Sequence, residues 1–127
     1  MKLFLVAGAL LLAQSSWAAP SLRVVSLDCS AVNTLGYASL KLNKSDQVSI
    51  TVNSAYSSLA AIKSVGESSI LLEQVEPQQQ YRLEFSEPLK VGAQKVSGGL
   101  YFKYTPHSPF VLASYASCQV ELAEVAP

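Results

Sequence analysis

Few residues in this 127-residue chain are of types that do chemistry. They are two cysteines, Cys29 in "VVSLDCSAV" and Cys118 in "SYASCQVEL", one histidine, His107 in "TPHSPF", and the near-neighbour glutamates Glu73 with Glu76 and Glu84 with Glu87. A thiolate nucleophile needs a base within reach, normally a histidine. His107 sits between Pro106 and Pro109, a setting that reads as loop rather than as a positioned base. A zinc site takes three or four ligands, and two distant cysteines with one histidine give no such spacing. The Gly-x-Ser-x-Gly elbow of one large class of serine hydrolases is absent. Paired carboxylates can serve as acid and base in glycoside hydrolysis, but these glutamates fall at outward strand positions or in turns and read as a solvated face. No phosphate-cradling loop, dinucleotide fingerprint, calcium loop or zincin helix occurs. The expectation is a non-enzymatic protein with no catalytic residue, no metal site and no cofactor.

The cysteines then read as a bond, and the N-terminus says where it would form. "MKLFLVAGALLLAQSSWAAPS" has a cation at Lys2, an apolar run from Leu3 to Ala13, and small residues at Ser16 and Ala18. This is the pattern of a secretory signal peptide. Its apolar core is too short to span a bilayer, which takes about twenty residues. Cleavage is expected before Ala19, leaving residues 1–18 as leader and 19–127 as one domain. No later run approaches a membrane span, so no membrane insertion is expected after cleavage. Bulky, charged Leu27-Asp28 before Cys29, far beyond the apolar run, argues against lipidation. Disulfides persist in the periplasm and outside the cell, so a structural Cys29–Cys118 disulfide is expected in a periplasmic or secreted protein.

Removing Lys2 with the leader leaves eight cations against nine carboxylates. A near-neutral chain with no clustered positive face does not suit nucleic acid as a partner. "NKS" at Asn43 formally matches a glycosylation acceptor, of meaning only in a eukaryotic source.

The elements that must position these residues are strands. "QYRLEFS" alternates Tyr81, Leu83 and Phe85 with Arg82, Glu84 and Ser86, one face buried and one wet. "YASLKLN" and "QVSITVN" do the same through Ala38, Leu40, Leu42 and Val48, Ile50, Val52, with "NKSD" as the turn between them. In "LRVVSLDCS" Cys29 shares a register with Val25 and Leu27. Phe110, Leu112, Ala116, Cys118, Val120 and Leu122 form one register in the last strand, so both sulfurs point inward and the bridge ties first strand to last. Around 54–65, Ala55, Leu59 and Ile62 at helical spacing, with Ser54 as cap and Gly66 as stop, read as a short helical crossover, with a strand as the alternative.

Seven or eight strands with frequent turn signals predict an antiparallel β-sandwich with Greek-key connections, immunoglobulin-like in architecture only, or failing that a small barrel. The one tryptophan, Trp17, lies in the leader, away from any strand that would match an immunoglobulin core.

A surface remains. Tyr101, Tyr115 and Tyr37 fall opposite the core register, with Lys103 beside Tyr101. Tyrosines and cations are common anchors for protein or glycan contacts, so Tyr101, Lys103 and Tyr115 form the candidate partner-binding face. The same residues can also be cross-strand packing and nothing more. The functional expectation is an exported binding or structural module of the periplasm or cell surface, its partner a protein or glycan of the envelope. The alternatives are a small exported inhibitor of another enzyme and a hydrolase with an unrecognised site.

Overall fold

A computed structural model describes residues 21–33, 36–53, 56–74, 78–103 and 105–125. The expected leader at residues 1–18, with Ser54, Ala55, Glu76 and Tyr104, lies outside the described residues. Eight strands follow in order: β1 (Leu22–Asn33), β2 (Gly36–Leu42), β3 (Gln47–Val52), β4 (Tyr56–Val65), β5 (Ser69–Gln74), β6 (Gln79–Phe85), β7 (Gly92–Lys103) and β8 (Val111–Glu124). Each pairs antiparallel with its neighbours in sequence, and β8 pairs back onto β1 from Leu22↔Glu124 to Val32↔Tyr115.

The sheet is therefore a closed up-and-down barrel, not the sandwich with Greek-key connections that the strand pattern predicts. Alternation of apolar and polar residues is common to both architectures. What separates them is whether the first and last strands meet edge to edge, and here they do. Three long strands make this closure: β1 and β7 have 12 residues each and β8 has 14. They bend through a bulge in β1 at Val24/Ser26 and another opposite Leu100/Tyr101. Bulges sharpen strand twist and let a sheet curl.

Those bulges also overturn two registers. Val25 is the extra residue in β1, so Val24 is buried and Val25 is 40% exposed. In β8 the pairing passes from Leu100↔Ser114 to Tyr101↔Leu112, which turns Leu112 outward, 41% exposed. A bulge is a one-residue event that moves every side chain beyond it to the other face.

The helical crossover is likewise corrected: Tyr56–Val65 is strand β4, and no helix occurs among the described residues. Ala60 and Ile62 alternate inward, facing Val48 in β3 and Leu72 in β5 respectively. Tyr56–Ala61 pairs with β3 and Ala61–Val65 with β5, and these two ladders outweigh the modest helix preference of Leu-Ala-Ala.

Inside the barrel Leu40, Ile70, Leu72, Leu83, Val48, Val96, Cys29 and Cys118 are fully buried, and the interior is packed with side chains. Outward positions carry Arg23, Asp28, Lys41, Lys63, Lys95 and Glu121, all exposed. This is the reverse of a membrane barrel, whose outer band is apolar and whose lumen is polar. The β2–β3 hairpin closes as its sequence predicts: Asn43 Oδ1 accepts the amides of Ser45 (2.8 Å) and Gln47 (3.1 Å), and Asp46 adopts a φ of 61°.

Gly98 is required where β7 passes against the backbone of β6. A Cβ there would stand 1.8 Å from the Glu84 carbonyl oxygen, a contact no side chain could relieve because backbone is in the way.

Candidate functional site

Cys29 and Cys118 are directly paired across β1 and β8, with Cα atoms 4.0 Å apart, and their sulfurs are bonded. Non-hydrogen-bonded antiparallel pairs bring Cα atoms to about 4.5 Å, close enough for a bridge without moving backbone. Both residues are buried in the core, and neither carries a free thiol.

The remaining chemistry-bearing residues are dispersed. His107 is exposed in the β7–β8 connection. Glu84 Oε2 lies 2.6 Å from Arg82 Nε, an ion pair along one strand in which the N–H is not aimed for a hydrogen bond. Glu87 is exposed in the β6–β7 connection, and Glu73 pairs with Lys63 at 3.6 Å. Among the described residues no three of His, Cys, Asp and Glu gather as a metal cluster would require.

The structure brings two of the three predicted surface residues into one cluster and sets the third beside it. Tyr101 and Lys103 stand on the outer face of β7, opposite Leu112 in β8 and Gln80 in β6 respectively. Arg82 of β6 faces Tyr101 across the strands; its guanidinium carbon lies 4.3 Å from the centre of the Phe110 ring and 5.7 Å from that of Tyr101. The Lys103 ammonium lies 5.2 Å from the same Phe110 ring. Cations over aromatic faces are attracted by the ring quadrupole, so Phe110 ties the β7–β8 connection down onto the barrel wall.

Tyr101 and Leu112 lean over Gly99, where an added Cβ would meet Leu112 Cδ1 at 2.9 Å and Tyr101 Cε1 at 3.0 Å. Tyr101 is thus half-buried packing. Tyr115 pairs with Gly99 in register and is 72% exposed, the most open large apolar side chain among the described residues. Tyr37 is also exposed, two strands away in the same row, since Val32 of β1 pairs with both tyrosines.

Sequence alternation places Arg82 outward, but the contribution of Phe110 and Leu112 to this face was missed. Phe110 precedes β8 and Leu112 lies before its bulge, so neither follows the register of Cys118. An aromatic just after Pro109 was the one available signal.

The two barrel ends differ. At the end holding the β5–β6 and β7–β8 connections, Gln74 is buried, the Tyr81 hydroxyl lies 3.4 Å from Gln74 Oε1 and 3.3 Å from Gln79 Oε1, and the Tyr81 and Phe102 rings stack at 5.1 Å. At the opposite end Leu89 of the β6–β7 connection packs on the core, its amide donating to the Glu67 carbonyl at 2.8 Å. Beside that half-lid a cleft of about 400 Å³ stays open, lined by residues including Leu22, Val24, Leu42, Ile62 and Val65 with Arg23, Asp46 and Lys63 at its rim.

These features define a disulfide-seamed, eight-stranded up-and-down β-barrel with a side-chain-filled interior and charged residues at outward positions. Comparison with protein-family models, with curated proteins and with solved structures finds no match.

Proposed function

We propose that the protein is an exported, non-enzymatic binding module that acts through the outside of its barrel in the periplasm or beyond the cell. The filled interior carries this reading. Barrels that hold a ligand centrally leave a cavity inside the strands; here that space is taken by Leu40, Ile70, Leu72, Leu83 and the disulfide. Recognition is then assigned to the wall, where Tyr115, Leu112 and Tyr37 are exposed on the side that carries Lys103. Exposed aromatic and aliphatic side chains gathered on one face are the usual anchors of a contact with protein or glycan. Export rests on the leader, and the disulfide is compatible with an oxidising compartment. The polar wall fits a protein that stays in water once the leader is removed.

The test is capture from the organism's own envelope extract with wild type, Tyr115→Ala and Lys103→Ala. A partner held through this face is lost with Tyr115→Ala and weakened with Lys103→Ala at unchanged melting temperature. Capture indifferent to both substitutions rejects the face, and turnover of an esterase, glycosidase or peptidase substrate that His107→Ala abolishes rejects the non-enzymatic reading.

A further inference from the structure

The open half of the barrel base is a site of a different kind. Leu22 and Val24 of β1, Leu42 of β2, and Ile62 and Val65 of β4 all occupy inward positions, yet Leu22, Leu42, Ile62 and Val65 are only partly buried. In a filled barrel such a terminal layer is normally covered. Leu89 covers the part over the β4–β5 turn, where its amide binds Glu67, and nothing among the described residues covers the part between β1 and β4. Both strands are bulged there, at Val24/Ser26 and at Ile62/Ser64, and a bulge bends and twists its strand locally. The result is an aliphatic concavity with a charged rim, the general form of a small-molecule site.

We propose that this cleft binds a single-chain amphiphile with an anionic head, the tail lying among Leu22, Val24, Leu42, Ile62 and Val65 and the head against Arg23. The volume of about 400 Å³ accommodates on the order of a dozen heavy atoms, at roughly the 30 Å³ that a water-sized group occupies in a liquid. No aromatic ring lines the cleft, so it offers no stacking platform for a sugar or a base. The sign of the head follows from the rim. Lys63 is engaged by Glu73 at 3.6 Å, whereas Arg23 has no carboxylate within ion-pair distance among the described residues. Asp46 is the one carboxylate lining the cleft and stands on the β2–β3 turn, which leaves Arg23 as the one lining cation without an ion-pair partner among the described residues. An arginine fork suits a carboxylate or a phosphate equally by geometry, and the shared chemistry is an anionic head on an aliphatic tail.

The site is independent of the Tyr115 face, and so is its test. Purified protein is titrated by calorimetry with dodecanoate below its micellar concentration, with dodecyltrimethylammonium, and with acetate. Saturable one-to-one binding of dodecanoate is expected, at least about fivefold tighter than the cationic amphiphile, the size of one well-placed surface ion pair, with acetate silent. Arg23→Gln should bring the two amphiphiles to similar affinity, Ile62→Glu should weaken dodecanoate tenfold or more, and Tyr115→Ala should change nothing. Dodecyl phosphate in place of dodecanoate separates the two head groups. Equal affinity for both charges in wild type, or dodecanoate binding untouched by Ile62→Glu, overturns the proposal. Should Ile62→Glu fail to fold, methyl NMR of the wild type decides. Shifts on adding dodecanoate confined to Leu22, Val24, Leu42, Ile62 and Val65 support the site, and shifts elsewhere reject it.

Discussion

Replacing Cys29 and Cys118 together by alanine is the sharpest perturbation of this barrel. The bond spans 89 residues of sequence. For a closed loop of about ninety residues, the chain-entropy treatment gives roughly 15 cal/mol/K, or about 4.5 kcal/mol at 25 °C. The bridged residues already face one another in the β1–β8 ladder, so the bond adds little to native contacts and acts on the unfolded chain. A domain of this size holds about 5–15 kcal/mol in all, so the double variant should be marginal, its melting temperature lower by on the order of 20 °C. Urea titration of oxidised wild type, reduced wild type and double variant separates the contributions. Reduction removes the cross-link alone, while the alanine pair also empties the sulfur volume from a fully packed core. The oxidised protein should show the smallest denaturant slope, because its unfolded chain is more compact. A loss below about 1.5 kcal/mol on reduction would refute the reasoning, since it would mean that the unfolded chain already keeps its ends together.

Gly98→Ala should destabilise the barrel by about 3 kcal/mol or prevent folding, because its Cβ would fall on the Glu84 carbonyl; expression yield and calorimetry read this out. Asn43→Ala removes the acceptor for two turn amides and should cost about 1 kcal/mol in urea titration. Tyr101→Ala uncovers Gly99 and the Arg82 cluster and should cost about 1–2 kcal/mol, whereas Tyr115→Ala, on an open surface, should stay within about 0.5 kcal/mol. Equal losses for the two tyrosines would contradict the packing assigned to Tyr101.

The strand content was legible in the chain because alternation at Tyr81, Leu83 and Phe85, or at Ala38, Leu40 and Leu42, is a local signal that burial later obeys. The disulfide was legible for a related reason: Cys29 and Cys118 each lie among apolar neighbours at even spacing. Closure of the sheet was not, because a residue's inward direction says nothing about which strand lies beside it. β4 was misread since Leu59-Ala60-Ala61-Ile62 fits a helical stripe as well as a strand, and only pairing with β3 and β5 decides. Val25, Leu112 and Phe110 were placed on the wrong side because a bulge or a strand boundary leaves no compositional mark. Tyr101, Lys103 and Tyr115 were correctly read as outward. That Tyr101 lies down over a glycine while Tyr115 stands free depends on Gly99, a register partner distant in sequence.

The Val125 amide donates to the Ser21 carbonyl at 2.9 Å, so the first and last described residues touch at the cleft end. In a ring of strands each hydrogen-bonded to its two neighbours, the β8–β1 seam differs from the other ladders in having no connecting loop and in carrying the disulfide instead. Joining 125 to 21 with a short linker and cutting the chain within 43–46 would make β8–β1 a hairpin and turn β2–β3 into the new seam. The fold should survive this circular permutation. The same sulfur–sulfur bond would then close a loop of only some twenty residues, and its entropic contribution should fall to about 3 kcal/mol. How much this disulfide stabilises the protein is therefore set by where the gene begins rather than by the bond itself.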